Sequence, residues 1–500
     1  MNKLRYLPYS LTILLFVAFL SCKDNYENYS TGSNQLLSFS VDTLSFDTLF
    51  SSIGSATKKF MIYNNHKDPL LISSIRFLHG DRGFRMNVPP ERRDTNGNFI
   101  NVRISSKDSL YVFVEATLNE NSTAVPQFRS DEIIFTTNGV RQKVVVEAYG
   151  QDVVFLRAKV FDESLTLSNE KPYLVYDSLT VNKGVTLTIQ EGTIFYMHNH
   201  SWFNVKGNIK ALGSLLQPII IRGDRMDYLL GIPYDRVPGQ WEGMWFAASS
   251  FENEFKHTHI RNGMLGMAFE LSTPDTLKLK LTNSVLTNMN GNILSAENCY
   301  IEVENSELSN ASDALVCLRG GKYSFTHCTL ANYLPPWNSM TTTGQTLVIY
   351  NYSRDNATAL PVEAGFFNSI IYGSNTRAGE YVISRDTVKF PAGRMDYKFQ
   401  NCLLLKKDGK NDGEKLIDCT FNEDPKFAKS KTESLNKEEE DDYIFDFRLS
   451  SESPARDKAD VSIAKKLPFD MNGVSRFEDK APDIGAYEWG SVRQNAKGRD

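Results

Sequence analysis

The chain has 500 residues, 41% of them hydrophobic and 12% aromatic, with a formal charge of −5. That length exceeds one ordinary domain, and the apolar content supplies a sizeable buried core. A small, dispersed negative charge gives no electrostatic footprint for nucleic acid, so no nucleic-acid partner is expected.

Lys3 and Arg5 precede the apolar stretch Leu11 to Leu20, which is short for a bilayer span and has the flanks of a secretory signal. It ends in Phe19-Leu20-Ser21-Cys22, which resembles the bacterial lipobox, in which the cysteine becomes the lipidated first residue. The expectation is a signal peptide over 1–21 and a membrane anchor at Cys22. Several acyl chains on one residue anchor stably, each buried methylene adding about 0.8 kcal/mol. Residues 22–34 are polar and read as a flexible tether. Lys23, where an Asp would resemble an inner-membrane retention signal, points to an outer-membrane lipoprotein facing the periplasm or the cell surface.

Over residues 35–152, short runs such as KKFMIYNN, SLYVFVEATL and RQKVVVEAYG alternate in polarity between turn residues. Strands of that kind over roughly 110 residues predict an antiparallel β-sandwich of immunoglobulin-like type, with no catalytic cluster in it.

A second region is predicted over 173–489. Gly184, Gly192, Gly207 and Gly213 punctuate apolar runs and are expected at turns needing positive φ. Further on, LKLTNSVLTN from Leu279, IEVENSELSN from Ile301 and YSFTHCTLAN from Tyr323 align without a gap at a spacing of 22. Segments from Asn253, Ala364 and Tyr397 fit the same frame. A fixed period in the low twenties, with alternating apolar positions closed by Asn, predicts a β-solenoid. Asn283, Asn305, Asn368 and Asn401, with His257 and His327 in the same slot, are expected in left-handed turns that form a structural ladder. The 41 residues between Phe325 and Phe366 call for an extra unit or a long loop carrying Leu334, Pro335, Pro336 and Trp337. Glu438 to Asp442 reads as a solvated acidic run, and 490–500 as a polar tail.

Val205, Gly207, Ile209, Ala211 and Gly213, then Pro218 and the Gly239-Gln240-Trp241-Glu242-Gly243 motif, resemble the opening rungs of right-handed parallel β-helices of the pectin-lyase-like superfamily. DPKF from Asp424, FRLSSESPARD from Phe447, DMNG from Asp470 and DIGAYEW from Asp483 resemble the closing segment of many bacterial secreted β-helix proteins. With the lipobox, the chain resembles a Bacteroidetes-type β-helix lipoprotein over roughly residues 36–489. The expected fold class is therefore all-β: a right-handed parallel β-helix preceded by a small sandwich.

Outward columns follow from the period. The slot of Tyr300 holds Glu252, Lys278, Tyr300, Lys322, Glu363 and Asp396, so Lys278, Tyr300 and Lys322 are expected as an exposed stripe, rungs being about 4.8 Å apart. Such a stripe suits glycan contact, ammonium groups offsetting sugar carboxylates, although a mixed-charge solubilising ladder explains it as well. His259 and Arg261 lie within reach of a ligand without an evident partner. Trp202, Trp241, Trp245 and Trp337 are candidate sugar platforms, Trp241 being better read as packing. Five cysteines remain after Cys22, an odd number that excludes a complete disulfide framework. Cys328 and Cys402 share a slot with serines and are read as packed residues, and no cofactor or metal is expected. The expected function is a non-catalytic lipoprotein binding polysaccharide or a protein partner; the alternative is a polysaccharide lyase acting on an acidic glycan.

Overall fold

The computed structural model describes residues 29–491, except 90–91, 124, 230–231, 334–343, 376–378, 391–392 and 431–444. Cys22 and its signal, most of the tether, the Leu334–Trp337 segment, the acidic run and nearly all of the polar tail lie outside the described residues. The chain divides into two units, Met1–Asp152 and Val153–Asp500.

In the first unit two sheets face each other. Strands Ser38–Phe39, Lys58–Tyr63, Ser109–Ala116 and Phe84–Asn87 form an antiparallel sheet in that order. The second sheet runs Thr43–Phe50, Val140–Gln151, Gln127–Thr137, Leu70–Phe77, Phe99–Ile104. Alternate residues point inward, so Phe60, Ile62, Val112 and Val114 meet Ile72, Ile75, Phe135 and Val144 in one core. The sheets are antiparallel save for one pair: Thr43–Phe50 lies parallel to Val140–Gln151.

The second unit is a parallel β-helix whose turns contribute to three ladders. The first ladder stacks ten strands, from Leu165–Leu167 through Leu277–Thr282, Tyr300–Glu304 and Gly321–Thr326 to Leu416–Ile417. The second includes Ile194–Met197, Ile219–Gly223, Thr258–Arg261, Val285–Met289, Glu307–Ala311, Thr329–Asn332 and Ile370–Gly373. The third includes Trp202–Val205, Gly243–Phe246, Met267–Phe269, Leu294–Glu297 and Val316–Arg319. All six repeats lie in the expected register, with Asn253, Leu279, Ile301, Tyr323, Ala364 and Tyr397 paired in succession. Phe325 pairs directly with Phe366, and Phe366 with Phe399, their rings stacked at 5.0 and 4.8 Å. No extra unit intervenes, so the additional residues are insertions within a turn. Parallel pairing begins at Val154–Phe161, ahead of the expected start at Tyr173. That strand is the exposed end of the stack, so it lacks the burial alternation by which a strand is read.

His257, Asn283, Asn305, His327, Asn368 and Asn401 all hold φ between 44° and 51°, the left-handed corner expected of them. The next slot is a buried ladder of side chains. Ser284, Ser306 and Ser369 donate to the carbonyl two residues back and accept the backbone N–H of the same slot one turn earlier. Cys328 and Cys402 donate likewise through Sγ, which explains how thiol replaces hydroxyl there. Gly184 and Gly192 have positive φ, but Gly207 and Gly213 do not. Crowding is what demands glycine at those two: a Cβ on Gly207 would lie 2.2 Å from the Val185 carbonyl oxygen.

The closing motifs lie along the side of the helix. Asp446–Leu449 pairs with Phe427–Lys429 and opens a strap, residues 446–491, that runs over the outer face of the second ladder. Asn368 bonds Asp460, Thr329 accepts from Ala486, and Tyr487 donates to Glu307. Both faces of Glu307–Ala311, Thr329–Asn332 and Ile370–Gly373 are therefore buried. Arg476 and Glu488 form a fully buried pair, and Arg476 also reaches Asn305 at 2.9 Å.

Candidate functional site

The expected stripe does not form as written. Tyr300 and Lys322 are paired neighbours, with the ammonium 4.7 Å from the ring centroid. Lys278 is not with them. A bulge pairs Leu277 with Tyr300 and Leu279 with Ile301, leaving Lys278 without a counterpart and turning it inward, where it is fully buried. Its Nζ donates to the carbonyls of Ala247 and Ser250, both at 2.9 Å, and burial lowers its pKa. Tyr300 donates to Glu302, and that bond, then burial, pushes the phenol up to about 12. A phenol so held is a poor proton acceptor near neutral pH. What remains exposed is Lys322, followed in the column by Glu363 and Asp396.

The more concave site is on the second ladder, on the turns the strap leaves open. There a groove of about 290 Å³ has His259, Arg261, Val285 and Thr287 in its floor. These are outward positions of adjacent strands, since Ile260 and Leu286 between them point into the core. One wall is the short turn Tyr234–Arg236, the other the start and end of the strap, including Arg448 and Tyr487.

At the head of the groove one carboxylate meets three guanidinium groups. Asp235 Oδ1 lies 2.9 Å from Arg222 Nη2 and 2.8 Å from Arg261 Nε, and Oδ2 lies 3.2 Å from Arg236 Nη1. Burial alone would raise the Asp235 pKa, but Arg261, Arg222 and Arg236 together hold it below the ordinary range. Burial, then repulsion from Arg261, pushes Arg222 down to about 10. Lower in the groove, Glu307 accepts from Ser309 at 2.7 Å and from Tyr487, while Asp446 is bidentate to Arg448.

Known proteins offer little beside this geometry. No protein-family profile matches the sequence, and no curated protein does. Among solved structures, the chain is similar over short stretches to the VesB protease of Vibrio cholerae, at 15% identity over 24% of this chain and 32% of that one, TM-score 0.17. It is likewise similar to a family 123 glycoside hydrolase from Clostridium perfringens, at 10% identity over 23% and 26%, TM-score 0.16. The chain thus spans about a third of the first and a quarter of the second, and overlaps of that extent carry no argument about this chain.

Of the other sequence candidates, Trp241 is fully buried and donates to the Arg261 carbonyl at 2.8 Å, so it holds up the groove floor from behind. Trp245 donates to Glu270 beside a separate depression of about 300 Å³ on the third ladder. His257 and His327 belong to the corner ladder, each ring nitrogen Nε2 facing the amide of the next Asn, Asn283 and Asn368. Among the described residues no three His, Cys, Asp or Glu side chains come together as a metal would need. Arg222, Asp235 and Arg236 were not singled out by the sequence. A signal for them exists: paired residues Lys210 and Glu254 lie 44 positions apart (254 − 210), twice the period of 22, and the insertion carries Asp235 and Arg236.

Proposed function

We propose that this protein is a lipoprotein, anchored in the outer membrane through Cys22, that binds polysaccharide along the open stretch of the second ladder without cleaving it. The observation that carries the reading is the groove itself. It is a concave, mixed polar and apolar channel on successive outward positions of a rigid ladder, the kind of surface that takes an extended chain. Its carboxylates are engaged, Asp235 by three arginines, Glu307 by Tyr487 and Ser309, and Asp446 by Arg448, which suits holding a ligand better than proton transfer. The sandwich serves as a spacer from the membrane. Kinship with pectin-lyase-like β-helix lipoproteins of Bacteroidetes type rests on the Gly-punctuated opening rungs, the Gly-Gln-Trp-Glu-Gly motif and the closing motifs.

The test is a polysaccharide panel with the detergent-solubilised full chain, following gel retardation and the absorbance of unsaturated products together. Retardation without product supports the reading. Product release would make the protein a lyase, and silence in both would leave the groove to a protein partner.

A further inference from the structure

Two largely buried arginines, Arg222 and Arg261, share the single carboxylate of Asp235, so two guanidinium groups face one carboxylate in a partly desolvated corner. The side chains of Arg222 and Arg261 are only 11% and 14% exposed, and Asp235 is 21% exposed, so bulk water screens them weakly. Like charges held that close repel unless a further anion joins them.

Arg261 has the capacity to bind one. A guanidinium carries five N–H donors. Its Nε is spent on Asp235, while neither terminal nitrogen has a protein acceptor among the described residues. The residue lines the groove, with Arg236 on the adjoining wall. Its backbone is fixed from behind by Trp241 and its Nε by Asp235, so the fork is oriented before any ligand arrives. A forked pair of N–H groups matches the two oxygens of a planar or tetrahedral oxyanion. The other carboxylates lining the groove, Glu307 and Asp446, are already bound to Tyr487, Ser309 and Arg448.

We infer that Arg261, backed by Arg222 and Arg236, forms an oxyanion site at the head of the groove that takes one carboxylate or sulfate group. That the group belongs to a sugar polymer rests on the polysaccharide reading; the site itself does not.

The experiment titrates sodium sulfate and sodium acetate into the full chain by calorimetry, with chloride adjusted to constant ionic strength. Saturable one-to-one binding is expected for wild type. Arg261→Gln removes fork and charge, and Arg261→Lys keeps the charge without the fork; both should weaken binding roughly 10-fold or more. Circular dichroism checks that each variant is folded, and Arg236→Gln, on the exposed wall, gives the same prediction through a second residue. Absence of saturable binding overturns the inference, as does binding that survives Arg261→Gln unchanged. Sulfated, uronate and neutral oligosaccharides then separate the two proposals. Inorganic anion binding without glycan binding keeps the site and sinks the polysaccharide reading. Binding of neutral glycan with no response to sulfate or acetate does the reverse.

Discussion

His327 sits in the corner ladder with no exposure to solvent, and its protonation state can be read from its partners. Asn368 accepts from the Asp460 N–H at 2.8 Å and donates through Nδ2 to the Asp460 carbonyl, which fixes the orientation of its amide. Nδ2 must then be the donor toward His327 Nε2 at 2.9 Å, so Nε2 accepts and Nδ1 carries the proton, facing the Gly485 carbonyl at 3.3 Å. A second proton would set N–H against N–H in a dry site near the Arg476 guanidinium. Burial, then Arg476, accordingly holds the His327 pKa well below its usual value. A base depressed in the native state binds fewer protons folded than unfolded. Its stabilising contribution is complete above the unfolded value near 6.5 and is lost as pH falls from there toward the native pKa. Each pH unit in that window costs about 1.4 kcal/mol. His327→Asn places in the slot the residue that four other turns use. It should lower stability at pH 7.5 by about 1–2 kcal/mol for the lost bonds, yet flatten the acid limb by one proton. All five tryptophans lie beyond residue 152, so their fluorescence during urea unfolding reports the β-helix unit without the sandwich. Wild type should lose more stability than the variant as pH falls from 7.5 to 5, by about 1.4 kcal/mol for each unit inside the window. Equal losses would refute the assignment of a neutral, structural imidazole. His257, lowered to about 4 by burial and then Lys256, should act in the same direction over the window from 6.5 down to that value.

Lys278→Met should destabilise the β-helix by about 2 kcal/mol or more, because the carbonyls of Ala247 and Ser250 lose their donor, and should leave ligand binding in the groove untouched. Thermal unfolding followed by tryptophan emission, with a retardation gel, checks both halves. Gly485→Ala forces a side chain onto φ +110° with its Cβ 2.9 Å from Thr329 Oγ1; about 1–3 kcal/mol of strain should loosen the strap, seen as earlier proteolytic cleavage within 446–491. Burial raises the thiols of Cys299 and Cys328 to about 12, so neither should react with a disulfide reagent at pH 8 until urea is added. Rapid labelling of Cys328 in the folded protein would show that the Ser/Cys slot opens to solvent.

What the sequence made legible was whatever repeats. A period of 22 with apolar positions 1, 3 and 8 fixes which strands stack, and Asn283, Asn305 and Asn368 mark the corner because few residues tolerate positive φ there. Lys278 failed for a local reason. A single bulge after Leu277 breaks the inference from period to face, and nothing in LKLKLT announces a bulge. The groove failed for a different reason, being assembled from an insertion in one turn and a strap more than 200 residues later. Arg261 was visible; its partner Asp235 was not, because the insertion has no counterpart to align against.

The second ladder nevertheless carried a sign of both the strap and the groove. Its outward positions read Ile370, Tyr372, Leu403 and Leu405 in the later turns, where a solvated strand would be polar. In the earlier turns the same positions read Ile220, Arg222, His259, Arg261, Val285 and Thr287, a mixed set. An apolar outer face requires a cover, which the strap supplies through Phe447, Leu449 and Ile484. Residue type is not the whole rule, since Glu307 and Thr329 lie buried beneath the strap, bonded to Tyr487 and Ala486, while Ile220 lines the open groove. Toward the open turns, Met471 and Tyr487 of the strap pack on Val285. Converting Val285 to Lys should therefore lift the tip of the strap and widen the groove, while the pairing of Asn368 with Asp460 further down stays intact. Hydrogen exchange would read the two regions separately, and protection lost equally at both would show that the strap detaches as one piece.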